Sequence, residues 1–410
     1  MSSLWHGFAE MHVVQDHPFV VTRGEGAYIW DQSGKRYLDG TAALWFAHLG
    51  FGRPEVAAAV ARQMNEISAY HNFTDYVTQP TIDLADRLAS HSPDPGSRVF
   101  FTSGGSDAVD SAAKLVRRYH TLTGNPERTV FIAREWAYHG MHTYGTSLAG
   151  IEANRTGYGE LVPDVVLVPH DDVDAIEKAI DHAGPERIAG IYCEPVLGAG
   201  GVRSVPVEYL HSARDLVREA GGLFISDEVI TGFGRIGDWF AAVRFDLDPD
   251  LILFAKGVTA GYLPLGGIIV SPRVASPFFD QAAVVWRHGY TYTGHATVCA
   301  AGLAVTEIYE NEPIFARALE LEKELEETLG ALVGEGPAVG LRAGTGAMAA
   351  LQLDPADTTL APRVALATRQ EGVIVRALAG NGIQISPPLI LTPGEVDELV
   401  SGLQRGLRAI

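Results

Sequence analysis

Lys256 closes an unbroken apolar run, Leu251 to Ala255 (LILFA), and a glycine follows it. An ammonium group at the end of a buried strand is costly and tends to lose its proton. The neutral amine is a nucleophile that can form a Schiff base with an aldehyde. Asp227 ends a second apolar run, GLFISD. A carboxylate there must be paired or hydrogen-bonded. It is either a buried ion pair or cap, or the counter-charge of a protonated heterocycle nitrogen. Tyr138 stands in AYHG, where it is either ordinary packing or a flat face against a flat ligand. His139 has no serine or cysteine nucleophile at a recognisable spacing, so it reads as a supporting residue. Glu228 reads as structural. In TSGGSD, Gly104 and Gly105 permit a tight turn and Ser106 is a natural helix N-cap. Free N–H groups at such a start bind phosphate, although any strand-to-helix turn needs similar residues.

Short apolar strands must position these groups. RVFFTS, TVFIA, DVVLVP, IAGIYCEP, GLFISDE, LILFA and GGIIVS alternate with helical stretches such as SDAVDSAAKLVRRYH and VEYLHSARDLVREAGG. This alternation predicts an α/β fold, a mostly parallel sheet covered on both faces. Ligands of open parallel sheets bind beyond the carboxyl ends of the strands. The residues named above follow those ends, so they are expected to face one region. A phosphate turn, a ring-stacking tyrosine, an acid for a ring nitrogen and a Schiff-base lysine together describe pyridoxal phosphate. Before this core, GAYIWDQSGKRYLDG reads as a hairpin, and RPEVAAAVARQMNEI and PTIDLADRLASH as amphipathic helices. Past His295 the helices lengthen and a small α+β region closes the chain. The expected layout is an N-terminal segment over 1–52 joining the small domain, a large cofactor-binding domain over 53–295 and a C-terminal small domain over 296–410.

The chain has 410 residues and a formal net charge of −19. Such a surface repels phosphate backbones and anionic lipids, which argues against nucleic acid or membrane as partners. Two cysteines, Cys193 and Cys299, make no disulfide framework and suggest a reducing, cytoplasmic location. The start, MSSLWHGFAEMHVV, does not read as a signal peptide. No uninterrupted apolar run reaches the roughly twenty residues of a membrane helix. No metal site is expected.

Six ordered motifs, SGGSDAV, YHG, EPVLGAGG, SDEVITGFGR, LILFAKG and HGYTYTGH, resemble the class III aminotransferases. The likeness runs in order from LWHGFAEM to ISPPLILT. It implies the aspartate-aminotransferase-like fold (fold type I) and pyridoxal 5'-phosphate as cofactor. Gly105 and Ser106 would then hold the phosphate. Tyr138 would cover one face of the ring and Val229 the other. Asp227 would keep the pyridine nitrogen protonated. Lys256 would form the internal aldimine and afterwards move the proton between substrate carbon and cofactor. Glu194, like His139, would support those that touch the cofactor. Thr291 would reach the phosphate of the neighbouring subunit, which implies a homodimer or a tetramer built of two dimers.

The likeness is strongest to the ω-amino acid and amine:pyruvate transaminases. Where the 4-aminobutyrate and ornithine branch carries a glutamate after E-P, this chain has Ala199. Trp45, with Phe8, would line the substrate pocket. Arg376 would clamp a carboxylate and swing away for an uncharged amine. The turn after it, AGNGIQ, is about a residue longer than that branch's G-D-x-I turn. The expected reaction is a ping-pong transfer of an amino group from an ω-amino acid or amine to an oxo acid, with pyruvate the expected acceptor. Racemases, decarboxylases and aminomutases share the fold and are the first alternatives. A nicotinamide dehydrogenase is more remote, because neither GAGG nor SGGS completes G-x-G-x-x-G. A non-catalytic binding protein is opposed by intact Lys256, Asp227 and Tyr138.

Overall fold

The structure is a computed structural model and describes residues 3–410. All seven apolar runs form strands of one sheet: β1 (Arg98–Thr102), β2 (Val130–Arg134), β3 (Val165–Val168), β4 (Ile188–Cys193), β5 (Leu223–Asp227), β6 (Leu251–Phe254) and β7 (Gly266–Val270). Their spatial order is β1-β7-β6-β5-β4-β2-β3. Neighbours from β6 through β3 are parallel. Only β7 runs against the rest, pairing antiparallel with both β6 and β1. The mostly parallel sheet is therefore as expected, with one reversal. The link from Phe254 to Gly266 holds only a short 3₁₀ turn. That is too little chain for a helical crossover back to a parallel strand.

Alternation along the strands sorts the sheet's two faces. Leu223, Ile225, Leu251, Leu253 and Ile268 pack against Ala108, Val109, Ala112 and Val116 of helix α1 (Gly105–Leu122). Phe224, Ile252 and Phe254 join the opposite core with Tyr209, Leu210 and Val217. Both faces are thus sealed by helices, which suits apolar parallel strands. Each such side chain contributes about 1.5–3 kcal/mol when taken from water. The same two-residue period puts Asp227, the last residue of β5, on the α1 side, and Glu228 on the other.

The hairpin strands Tyr28–Asp31 and Arg36–Asp39 are antiparallel, as their sequence suggests. Val21–Glu25 pairs with the first, and the distant Val373–Ile374 pairs in parallel with the second. A further sheet joins Ala338–Arg342, Ala349–Leu353, Gly382–Ile385 and Arg376–Leu378. Helix Ala296–Asn311 packs on Pro54–Glu66 and Gln79–Ser90. The closing helix, Pro393–Arg408, is fixed by a reciprocal cap between Thr392 and Glu395. No helix of the described residues is long and apolar enough to cross a membrane.

Candidate active site

A cavity of about 420 Å³ lies beyond the carboxyl ends of the strands. Five strand endings contribute to its wall: Gly105 and Ser106 after β1, Tyr138 and His139 after β2, Glu194 after β4, Asp227 and Val229 at β5, and Lys256 after β6. Register explains the central pair. Asp227 lies beside Leu253 in the parallel ladder, and Lys256 follows three residues on.

The Lys256 backbone is left-handed, with φ 47°. That conformation costs a non-glycine residue of order 1–3 kcal/mol. The side chain is enclosed by protein except where it meets the cavity, and no hydrogen bond or ion pair joins its Nζ to another described residue. Burial lowers its pKa from 10.5 to about 8; Asp227 and Glu194 oppose that shift, and Arg376 adds to it.

Asp227 is buried. Its Oδ2 accepts from His139 Nδ1 at 2.6 Å and its Oδ1 from the Val229 N–H at 3.2 Å. His139 Nε2 is buried and has no hydrogen-bond partner among the described residues. Glu194 accepts the Tyr138 N–H at 2.9 Å and the Gly198 N–H at 3.1 Å. Burial raises its pKa. His139 thus holds the Asp227 carboxylate and Glu194 the Tyr138 backbone, while both also line the cavity. Glu228 accepts from Ser226, Thr231 and the N–H groups of Ala241 and Ala242. It starts the next helix and takes no part in the cavity.

The phosphate turn differs in one detail. Gly104, not Ser106, is the N-cap of α1. The Ser106 hydroxyl instead accepts the Met141 N–H at 3.2 Å. The chain after Tyr138 crosses so close to it that a Cβ on Gly140 would lie 2.3 Å from Ser106 Oγ. A Cβ on Gly266 would likewise strike the Gly104 backbone at 2.6 Å. These two approaches shape a cup whose floor is the start of an 18-residue helix. Free N–H groups and the helix dipole favour an anion there.

Three residues expected at the substrate pocket lie outside this cavity, and a fourth, Thr291, was expected to act across a subunit boundary. Thr291 is exposed and does not line the cavity of its own chain. Phe8 is 72% exposed. Trp45 is 1% exposed and packs among Val196, Ile230, Ile236 and Met348, outside the cavity wall. Arg376 lines an adjoining apolar groove of about 660 Å³. Its guanidinium has no hydrogen-bond or ion-pair partner among the described residues. The side chain that lines both spaces is Phe46. The segment Gly261–Leu265 completes the wall. Both escaped the sequence reading. The short link between LILFA and GGIIVS was the available signal for the segment, since an antiparallel return brings that link to the strand ends. For Phe46 there was none.

The cavity suits pyridoxal phosphate. A helix start offers N–H groups to a phosphate, a half-buried tyrosine and a valine bound a slot, a buried carboxylate faces inward and an unpaired amine projects from the sheet. Comparison with known proteins agrees. Residues 11–407 match the family described as Aminotransferase class-III. The chain is 35% identical to gamma-aminobutyrate transaminase 1, mitochondrial, of Oryza sativa subsp. indica, over 96% of this chain and 82% of that protein. It is 34% identical to a putrescine–pyruvate aminotransferase of Pseudomonas aeruginosa, over 93% and 89%. Among solved structures, an amine transaminase from an uncultivated Pseudomonas species, in its PLP-bound (internal aldimine) form, superposes with a TM-score of 0.94 at 36% identity, covering 100% of this chain and 99% of that one. With site geometry and family in agreement, the chain belongs to the class III aminotransferases and is a pyridoxal phosphate-dependent transaminase of fold type I.

Proposed function

We propose that the enzyme takes the amino group of an ω-amino acid or amine and delivers it to an oxo acid, with pyruvate the preferred acceptor. The observation that carries the substrate reading is Arg376: a guanidinium beside the cavity with no carboxylate partner among the described residues. In an acidic protein, a free guanidinium suits a reactant's carboxylate. Ala199 supports pyruvate, because the glutamate that would pair such an arginine is missing. The putrescine–pyruvate relative points the same way, and the gamma-aminobutyrate relative supports an ω-amino donor.

The cofactor, when bound, supplies a carbonyl carbon for nitrogen exchange and a ring that absorbs electron density. The chain's residues do the rest. The N–H groups of Gly105 and Ser106 hold the phosphate. Tyr138 and Val229 bound the ring. Asp227 keeps the proton on the ring nitrogen, and His139 fixes that carboxylate in place. Lys256 Nζ takes a proton from the amine-bearing carbon and returns one, a task for which a pKa of about 8 is suited. Trp45 stiffens the turn that presents Phe46.

A homodimer would bring Thr291 of the partner subunit to the phosphate. The exposed aromatics Phe73, Phe279 and Tyr292 near that segment support such a face. The pairing of Val373–Ile374 with Arg36–Asp39 supports a small domain drawn from both chain ends. Two free, buried cysteines support a reducing compartment, the cytoplasm.

The deciding experiment is a panel of amines and ω-amino acids offered with pyruvate or 2-oxoglutarate. Higher kcat/KM with pyruvate is expected; a strong preference for 2-oxoglutarate would overturn the assignment from Ala199. Borohydride reduction of the holoenzyme should leave the pyridoxyl group on the peptide containing Lys256.

A further inference from the structure

Thr291 stands on a stretch that has no regular structure to hold it. Residues 280–295 link helix Pro272–Phe279 to helix Ala296–Asn311 and form neither helix nor strand. The N–H groups of His288, Thr293 and His295 donate to carbonyls two or three residues back, within the same stretch. Side chains must therefore fix it to the body of the protein. Before Thr291, His288 and Tyr290 reach α1; after it, the Gly294 carbonyl accepts from Thr81 Oγ1 at 2.7 Å. Thr291 and Tyr292 are left exposed between these anchors.

The anchor on α1 is a chain of hydrogen bonds with a single direction. Lys114 Nζ, which as an ammonium only donates, lies 2.9 Å from His288 Nδ1. Burial and the Lys114 charge bring the His288 pKa down to about 4, so near neutral pH its ring is uncharged and has one N–H. Nδ1 therefore accepts, and Nε2 donates to Ser111 Oγ at 2.8 Å. The Ser111 hydroxyl donates in turn to Tyr290 Oη at 3.0 Å, and the Tyr290 hydroxyl to the Asp107 carbonyl at 3.3 Å. Asp107, Ser111 and Lys114 recur at helical spacing and share one face of α1. Asp107 belongs to the first turn of that helix, and its carboxylate accepts the N–H of Ser103, a cavity residue, at 3.1 Å. The anchor and the phosphate cup are thus built on the same turn.

We infer that Ser111, His288 and Tyr290 are positioning residues for the cofactor phosphate: they fix Thr291 relative to the helix whose start forms the phosphate cup. This rests on the reading that Thr291 serves the phosphate held by the partner subunit. None of the three lines the cavity of its own chain, so they act through Thr291 and not on the cofactor. A contact on irregular, exposed backbone gains little if the segment must first be ordered, because the lost freedom offsets the hydrogen bond formed. The anchor does that ordering in advance. In a two-fold dimer each α1 then governs two phosphates, its own through the helix start and its partner's through Thr291.

The test is equilibrium binding of pyridoxal 5'-phosphate, and of pyridoxal, which lacks the phosphate, to the full-length apoenzyme, with oligomeric state followed by light scattering. Thr291→Ala examines the shared-site reading by itself: it should weaken the phosphorylated cofactor by at least about tenfold and pyridoxal by less than about twofold. Ser111→Ala and Tyr290→Phe should repeat that pattern at about three- to tenfold. His288→Ala should do so as well, and His288→Gln, which keeps a donor for Ser111, should recover most of the loss. Adding Tyr290→Phe to Thr291→Ala should cost less than about twofold more, because both act at one contact. If Thr291→Ala weakens phosphate-dependent binding while Ser111→Ala and Tyr290→Phe do not, the positioning role is overturned and the shared-site reading stands. If Thr291→Ala has no effect, both fall. Equal losses for pyridoxal, or dissociation into monomers, in Tyr290→Phe would show a structural role alone and overturn the inference. If Ser111→Ala does not fold, Tyr290→Phe decides.

Discussion

The cavity has two unlike walls. One is made of strand endings, where Asp227 and Lys256 are placed by a hydrogen-bonded ladder that leaves little freedom. The other is made of irregular backbone, the turn that presents Phe46, beyond which lies the groove lined by Arg376 on a three-residue edge strand. That turn carries left-handed φ at Ala42, Ala43 and Trp45 and is held by Asp39, whose carboxylate accepts from Thr41 and the Ala43 N–H. The first wall holds what every reaction at this site requires. On the proposed assignment, the second meets the part of the substrate that varies. The contrast then predicts that the chemistry is locked to the sheet while selectivity rests on loops.

Substitutions on the two walls should therefore separate in kind. The largest effect belongs to Lys256→Ala. Turnover should fall by about 10³-fold or more, while the melting temperature is maintained, because a buried cation is removed. In the parent apoenzyme, the rate of cofactor capture should rise with pH and level off above about 8, the pKa of the amine. An ordinary lysine would keep rising toward 10.5. The sign for stability follows: between about 8 and 10.5 the unfolded chain keeps a proton the folded one has lost, so apoenzyme stability increases with pH there. A flat capture profile would sever the link between strand burial and reactivity.

Next in size is the pair of adjacent carboxylates. Asp227→Asn should cost about 10²–10³-fold in kcat with little change in stability. Glu228→Gln should do the reverse, costing about 1–3 kcal/mol in denaturant unfolding through lost acceptors, with kcat nearly unchanged. Arg376→Gln should raise KM about tenfold or more for a carboxylate-bearing donor and less than about threefold for an uncharged amine. Phe46→Ala is the smallest and most selective. It should join the cavity to the groove and improve kcat/KM for a bulky amine relative to a small one by about tenfold. If Trp45→Phe shifted that ratio as much, the division between the lining Phe46 and the buried Trp45 would not hold.

The same contrast explains what could be read from sequence. Every strand of the central sheet was visible as an apolar run, because both its faces are buried. The residues after those runs had to converge, since parallel strands end on one edge. The reversed strand β7 was read only as a strand. Its direction depends on the length of a link, not on the residues within it. Ser106 was expected to cap α1, and Gly104 does so, because the crossing chain at Gly140 claims the serine hydroxyl. Trp45 was expected on the pocket wall. In the folded chain the left-handed backbone at that residue turns the indole inward and Phe46 outward. No periodicity marks such a turn in advance.

The two walls also differ in what length change they tolerate. Inserting one residue in β5 would turn Asp227 to the opposite face of the sheet, since side chains alternate at every step. The turn after Arg376, which the resemblance reads as about one residue longer than that branch's form, closes into the paired strands Arg376–Leu378 and Gly382–Ile385 all the same. Insertion and deletion, which would be ruinous at the strand ends, are thus an available currency of change at the rim. A library that varies loop length at 379–381 and side chains at 42–46 would explore new donors with the reacting groups untouched.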